Sequence, residues 1–163
     1  MTKPIPDGFH TLTPHLVVSD AVKAIEFYKK AFGAVEKDKF MGPDGKVVMH
    51  AELKIGNSIF MLGNEHPPTC LSPKSHGGTS VTLGLYVENA DATFDRAVKA
   101  GCTVKMPLAD QFWGDRYGQL EDPFGHQWSV ATHKQDLTRE QIAENAKAFF
   151  AKMSQKAPEM ATA

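Results

Sequence analysis

The chain states one pattern twice, and that limits what it can fold into. Leu16-Val17-Val18-Ser19-Asp20-Ala21 opens a helical pattern that closes at Gly33. Leu85-Tyr86-Val87-Glu88-Asn89-Ala90 opens another that closes at Gly101. Setting Leu16 on Leu85 aligns Val18 with Val87, Asp20 with Asn89, Ala21 with Ala90, Ile25 with Phe94 and Glu26 with Asp95. The period is too long for a solenoid array, so it reads as a duplicated supersecondary unit. Two fused copies imply one cavity between the halves, whose walls can be sought by symmetry.

Each copy has the same order. The first starts with a strand over Thr11–Val18. Ser19 or Asp20 can cap the following helix, because a short side-chain oxygen accepts from the free N–H groups of the first turn. Ala21, Ile25, Tyr28 and Phe32 form its apolar stripe. Residues 34–41 read as a second strand and Gly42-Pro43-Asp44-Gly45 as a turn. Val47–Ile55, a Gly56-Asn57 hairpin turn and Ser58–Gly63 complete the module. The second copy runs from strand Val81–Val87 through an Asn89-capped helix to strands near 103–112 and 115–121. Asp122-Pro123-Phe124-Gly125 then turns the chain into a last strand, His126–Thr132. The expected organisation is an arm over 1–10, a βαβββ module over 11–63, a linker over 64–80, a second βαβββ module over 81–133, and a C-terminal helix and tail over 134–163. Thr138 and Gln141 have capping-box spacing. Ile142, Ala146, Phe149, Phe150 and Met153 should form the apolar face of that helix, with a frayed tail from Ser154 onward.

The formal net charge of −1 comes from acids and bases mixed along the chain. It gives no electrostatic footprint for nucleic acid or an anionic membrane. No apolar run is long enough to span a bilayer and no signal-peptide pattern opens the chain. Cys70 and Cys102 lack CxxC spacing and read as free thiols in a reducing compartment, so the expected location is cytoplasmic. Cys102 has no basic neighbour on its face to make it a nucleophile.

Two βαβββ modules joined by a loop resemble the vicinal oxygen chelate superfamily, the fold of glyoxalase I, extradiol dioxygenases and bleomycin-resistance proteins. The local marks are Ala24-Ile25-Glu26-Phe27-Tyr28 with Phe32-Gly33, then Asp115-Arg116-Tyr117-Gly118, then Glu121-Asp122-Pro123-Phe124-Gly125-His126-x-Trp128. Gly45-Lys46-Val47-Val48-Met49-His50-Ala51-Glu52 looks like the PhnB-like branch. The resemblance implies an α+β fold in which the two modules form a curved, partly open mixed sheet with helices on the outer face. It also implies a homodimer. Fold alone does not decide function here, since such relatives include enzymes and pure binders.

In the metal enzymes of the superfamily each half gives ligands from its first and last strands. The resemblance places those four positions at Thr13, Met61, Thr82 and Ser129. Hydroxyls and a thioether are poor ligands for a hard divalent ion. The expectation is therefore no cofactor and no metal at this quartet, with a divalent metal at a displaced site left open. His15 shares the face of Thr13, and alternation puts Val48, His50 and Glu52 on that concave side. Met49, Ala51, Leu53 and Ile55 then form the face that packs on the helices. His50 and Glu52 are the candidate catalytic acid–base pair, or with His15 a displaced metal site. They can equally sit in a polar cavity wall, bonded to each other or to backbone.

Trp113, Arg116 and Tyr117 read as a ligand wall for a flat or anionic molecule, because Arg can grip a carboxylate or phosphate with two bonds. Arg116 can instead pair with Asp115, Glu121 or Asp122. Tyr86 shares a face with Thr82 and should point into the cavity, whereas Trp128 alternates away from Ser129 toward the core. The expected function is small-molecule binding in an aromatic-lined concave pocket by His15, Tyr86, Trp113, Arg116, Tyr117, Met61, Thr13, Thr82 and Ser129. The rival is a lyase, isomerase or dioxygenase relative that uses a displaced site. The expected partners are a small molecule and a second copy of the chain.

Overall fold

Capping and apolar stripes place the helices where the sequence puts them. The computed structural model describes residues 2–156. The first strand, β1 (His15–Val18), leads into α1 (Ala21–Phe32). Asp20 caps α1 by accepting from Lys23 N, and Gly33 ends it at φ 68°, a left-handed position that favours glycine. Three antiparallel strands follow: β2 (Val35–Met41), β3 (Val48–Ile55) and β4 (Ser58–Asn64). The 64–80 stretch includes one short helix, α2 (Pro73–His76). The second module repeats the order as β5 (Thr82–Tyr86), α3 (Ala90–Ala100), β6 (Thr103–Asp110), β7 (Asp115–Glu121) and β8 (Gln127–His133). Asn89 caps α3 by accepting from Ala92 N, as Asp20 does for α1.

The eight strands form two four-stranded mixed sheets of identical order, β1-β4-β3-β2 and β5-β8-β7-β6. In each, the first strand runs parallel to the last and the other pairs are antiparallel. This is the duplicated α+β architecture read from the repeat. The halves meet through α1 against α3 and a shared aromatic core of Phe27, Tyr28, Phe32, Phe60, Phe124 and Trp128. Burying such large rings stabilises each by about 1.5–3 kcal/mol relative to exposure. Trp128 is in this core, as its alternation predicts.

Two local expectations are corrected. The first strand is short: residues 11–14 precede it, and Thr13 Oγ1 donates to His10 O at 2.9 Å. Pro14, which has no N–H to give to a ladder, marks the break. The faces of β3 also change partway. Its register on β2 shifts between Phe40 and Met41, which pair with His50 and Val48 and leave Met49 as the extra residue. A bulge of this kind breaks the two-residue alternation. Val48 therefore enters the core fully buried, while Met49 stays 45% exposed.

The last helix, α4 (Arg139–Lys156), starts with the anticipated capping box: Thr138 N donates to Gln141 Oε1 and Gln141 N to Thr138 Oγ1. Its docked stripe is narrower than expected. Ile142, Ala146 and Phe149 are half-buried, but Phe150 and Met153 are exposed. Ser154 is still helical, and the rest of the expected tail beyond 156 lies outside the described residues.

Candidate functional site

Strand register sorts the side chains onto two faces. In β1, Leu16 and Val18 enter the core and leave His15 and Val17 on the opposite, concave face. Met61 pairs with His15 on one side and Glu52 on the other, so His15, Met61 and Glu52 form one row across the first sheet. His50 completes the group. Its ring meets His15 edge-on with centroids 5.9 Å apart, and its Nε2 is 3.5 Å from Glu52 Oε1. Burial, and after it the His50 imidazole, push the pKa of His15 down. The expected cluster is therefore assembled, without Val48. Among the described residues, no group of three or more His, Cys, Asp or Glu is arranged to hold a metal ion.

The second sheet carries the corresponding row with different chemistry. Ser129 pairs with Gly84 and Gln119, standing where Met61 stands between His15 and Glu52. The next row joins Tyr86, Ala131 and Tyr117. Asp115 lies at the end of this face and is only 5% exposed. Three side chains converge on it. Tyr86 Oη donates to Oδ2 at 2.8 Å, Trp113 Nε1 donates to the same oxygen at 3.2 Å, and His133 Nδ1 is 2.8 Å from Oδ1. Burial acts to raise the Asp115 pKa. The bonds from His133, Tyr86 and Trp113 outweigh it and hold the carboxyl below the usual carboxylate range. The bond to Asp115, ahead of burial, raises the Tyr86 phenol. Trp113 and Tyr117 meet edge-on at 5.5 Å, and Gln119 Nε2 donates to Tyr117 Oη.

The result is an aromatic wall in which Asp115 fixes Tyr86 and Trp113, and Gln119 holds Tyr117. Tyr86 is 70% exposed yet fixed at its hydroxyl. It also lines a groove of about 1220 Å³ that runs between β1 and β5 past His15, Thr82, Phe60 and Trp128. Thr13, Met61, Ser129, Trp113, Arg116 and Tyr117 do not line that groove, so Tyr86 is the member of the wall that reaches it. His126 crosses between modules, its Nε2 lying 2.9 Å from Val17 O.

Arg116 does not join the wall. It alternates onto the helix side, where Asp91 of α3 accepts from both Nε and Nη2 and Asp110 accepts from Nη1. The intramolecular pairing is thus the one observed, but with Asp91 and Asp110 in place of Asp115, Glu121 or Asp122. The residues missed by sequence reasoning are His133, Asp136 and Gln119, together with the organising role of Asp115. A signal for His133 was present: counting by two from Ser129 gives Ala131 and then His133.

The sequence model of the Glyoxalase/Bleomycin resistance protein/Dioxygenase superfamily matches residues 8–130. The uncharacterized protein Rv0887c of Mycobacterium tuberculosis is 49% identical over 135 residues, spanning 80% of this chain and 79% of its own. Among solved structures, TioX from Micromonospora sp. ML1 superposes with a TM-score of 0.62 at 27% identity, over 76% of this chain and 98% of that one. A putative 3-demethylubiquinone-9 3-methyltransferase, PhnB protein, from Bacillus cereus superposes with a TM-score of 0.60 over 76% of this chain and 99% of that one. At 18% identity it speaks for the fold alone.

Proposed function

Given that the chain belongs to the Glyoxalase/Bleomycin resistance protein/Dioxygenase superfamily, we propose that it binds a small, flat organic molecule against the aromatic wall of its second module. The observation that carries this reading is the convergence of Tyr86, Trp113 and His133 on Asp115. A largely exposed tyrosine and a neighbouring indole are held in one orientation before any ligand arrives. Such preorganisation lowers the ordering cost of binding. Ser129 and Gln119, in the row next to Tyr86 and Tyr117, offer hydrogen bonds beside the rings.

The wall has no free guanidinium, because Arg116 is bound to Asp91 and Asp110 on the other face. Its surface is aromatic, and the carboxylate behind it, Asp115, is already paired with His133. This favours a neutral or cationic ligand over the anionic one that Arg116 suggested from sequence. The usual metal quartet is replaced by three hydroxyls and a thioether, and the Thr13 hydroxyl is already bonded to His10 O. That donor set does not suit a divalent ion, so the reading is a binder rather than a metal enzyme.

We further propose a homodimer, supported by exposed apolar side chains such as Phe40 and Met49 beside the β2 edge. Two free thiols support a cytoplasmic location. Among the described residues, no helix is long and apolar enough to cross a membrane.

The test is a thermal-shift screen of planar aromatic compounds in neutral, cationic and anionic sets, followed by calorimetry. A neutral or cationic hit should lose roughly tenfold or more in affinity, about 1.4 kcal/mol, in Trp113→Ala and Tyr86→Ala. Hits confined to anions, or hits indifferent to both substitutions, would overturn the reading. Light scattering at micromolar protein should return twice the chain mass, and a monomer mass would refute the dimer.

A further inference from the structure

The imidazole of His133 is bonded at both nitrogens to carboxylates: Nδ1 to Asp115 Oδ1 at 2.8 Å and Nε2 to Asp136 Oδ1 at 3.0 Å. A neutral imidazole has one N–H and one lone pair, so it cannot donate twice. Both bonds are made together only by the imidazolium. This ring sits at the end of β8, where the chain leaves for α4.

The segment that follows is tied to the aromatic wall at several points. Lys134 N and Gln135 N both donate to Gly114 O, next to Trp113. Gly114 has a φ of 99°, and a Cβ there would lie 2.5 Å from Gln135 O, so the two backbones touch closely. Asn145 Nδ2 donates to Phe112 O. The Phe112 ring packs on Phe149 and Phe150 of α4 and on Trp113, with centroids 5.4, 5.9 and 4.9 Å away. An unbroken run of rings therefore links α4 to the wall. Most of α4 is otherwise exposed, and it lies beyond the 8–130 stretch matched to the superfamily.

We propose that the segment from His133 through α4 is a strap, locked onto the Phe112–Trp113 turn by the His133 imidazolium and released when that ring loses its proton. Deprotonation turns one nitrogen into a lone pair facing a carboxylate, which repels Asp115 or Asp136. The charged groups facing the ring are Asp115 from β7 and Asp136 from the connector, and Tyr86 from β5 is the titratable group that shares Asp115. Lys134 and Arg116 lie on the opposite face beside Asp91. The bonds to Asp136 and then Asp115 raise the His133 pKa. A raised value stabilises the locked form at pH below the ordinary imidazole value. That contribution is lost as pH rises through the raised value. Asp136 is solvent-exposed, so salt weakens its share while the buried Asp115 contact persists.

The test needs no ligand, so its outcome is separate from that of the binding reading. In the unmodified chain, the Trp113 indole N–H resonance and the exchange protection of amides 134–150, corrected for intrinsic rates, are followed from about pH 5 to about pH 9. Both should change with one shared midpoint above about 6.5. Asp136→Asn, a change at an exposed side chain, should lower that midpoint, and His133→Gln should abolish the transition. No transition, separate midpoints, or a transition that survives in His133→Gln would overturn the proposal.

Discussion

Tyr28 and Asp122, 94 residues apart, join the two modules: the Tyr28 hydroxyl donates to Asp122 Oδ2 at 2.7 Å in the buried core. Trp128 Nε1 donates to the same oxygen at 2.9 Å, and the amides of Phe124 and His126 donate to Oδ1. The Asp-Pro-x-Gly turn is thus a polar anchor inside an aromatic core. Asp122→Ala should leave a phenol, an indole and two amides without their acceptor. At about 1–3 kcal/mol for each buried donor left unpaired, partly relieved by water, the loss should be at least about 3 kcal/mol. Urea unfolding measures it, and a loss below about 1 kcal/mol would show that the core rearranges around the gap.

The two thiols should behave oppositely. Burial, and after it the Asp122 charge, push the Cys102 thiol up to about 12. The reactive species is the thiolate, so at about pH 8 Cys102 should resist iodoacetamide. Cys70 is only half-buried in the segment between the modules and should be labelled. Peptide mass mapping should find one modified cysteine per native chain and two after unfolding in urea. Modification of native Cys102 on the timescale of Cys70 would mean that the core opens readily.

The repeat made the fold legible because period, caps and turn residues agreed with one another in both modules. Asp20 and Asn89 cap their helices as read, and Gly33 closes α1 as read. The misplacements came from features without a local signature. A bulge at Met49 moved Val48 from the concave face into the core, since one extra residue inverts the alternation behind it. Of the candidate site, strand alternation sufficed for Tyr86, His15 and the His50–Glu52 pair. Arg116 and Tyr117, read together as one wall, are neighbours in β7 and so face opposite sides; Asp91 of α3 holds Arg116 on the helix side. The convergence on Asp115 also depends on tertiary placement, because Tyr86 and His133 come from strands far from it in the chain.

Arg116 and Trp113, three residues apart, should therefore separate cleanly by mutation. Arg116→Ala removes a bidentate contact to Asp91 at the start of α3 and a second contact to Asp110, on a partly exposed surface. The stability cost should be small, as for exposed ion pairs. Binding of a hit from the aromatic screen should be unchanged. Trp113→Ala removes a ring from the wall and should lose most of the affinity while the chain remains folded by circular dichroism. Loss of binding in Arg116→Ala at full stability would mean that the ligand engages the helix side instead.

The wall should also loosen in acid, with Asp115 setting the range. Burial raises its carboxyl, but the bonds from His133, Tyr86 and Trp113 prevail and the native value lies below the unfolded one. A depressed native pKa means that the contribution to stability is present above the unfolded value, near about 3.9, and is lost as pH falls through the native value. Above about pH 4 the Tyr86 and Trp113 contacts should therefore not respond to Asp115. Below it, protonation weakens the shared acceptor at Oδ2, so the Trp113 indole resonance should shift before global unfolding. Asp115→Asn should show the shifted resonance even at neutral pH, together with weaker binding of any wall ligand by roughly tenfold. The same substitution removes one of the two carboxylates on His133 and should lower the imidazole pKa. If Asp115→Asn left both the indole resonance and the ligand affinity unchanged at neutral pH, the carboxylate would not be what orients the wall.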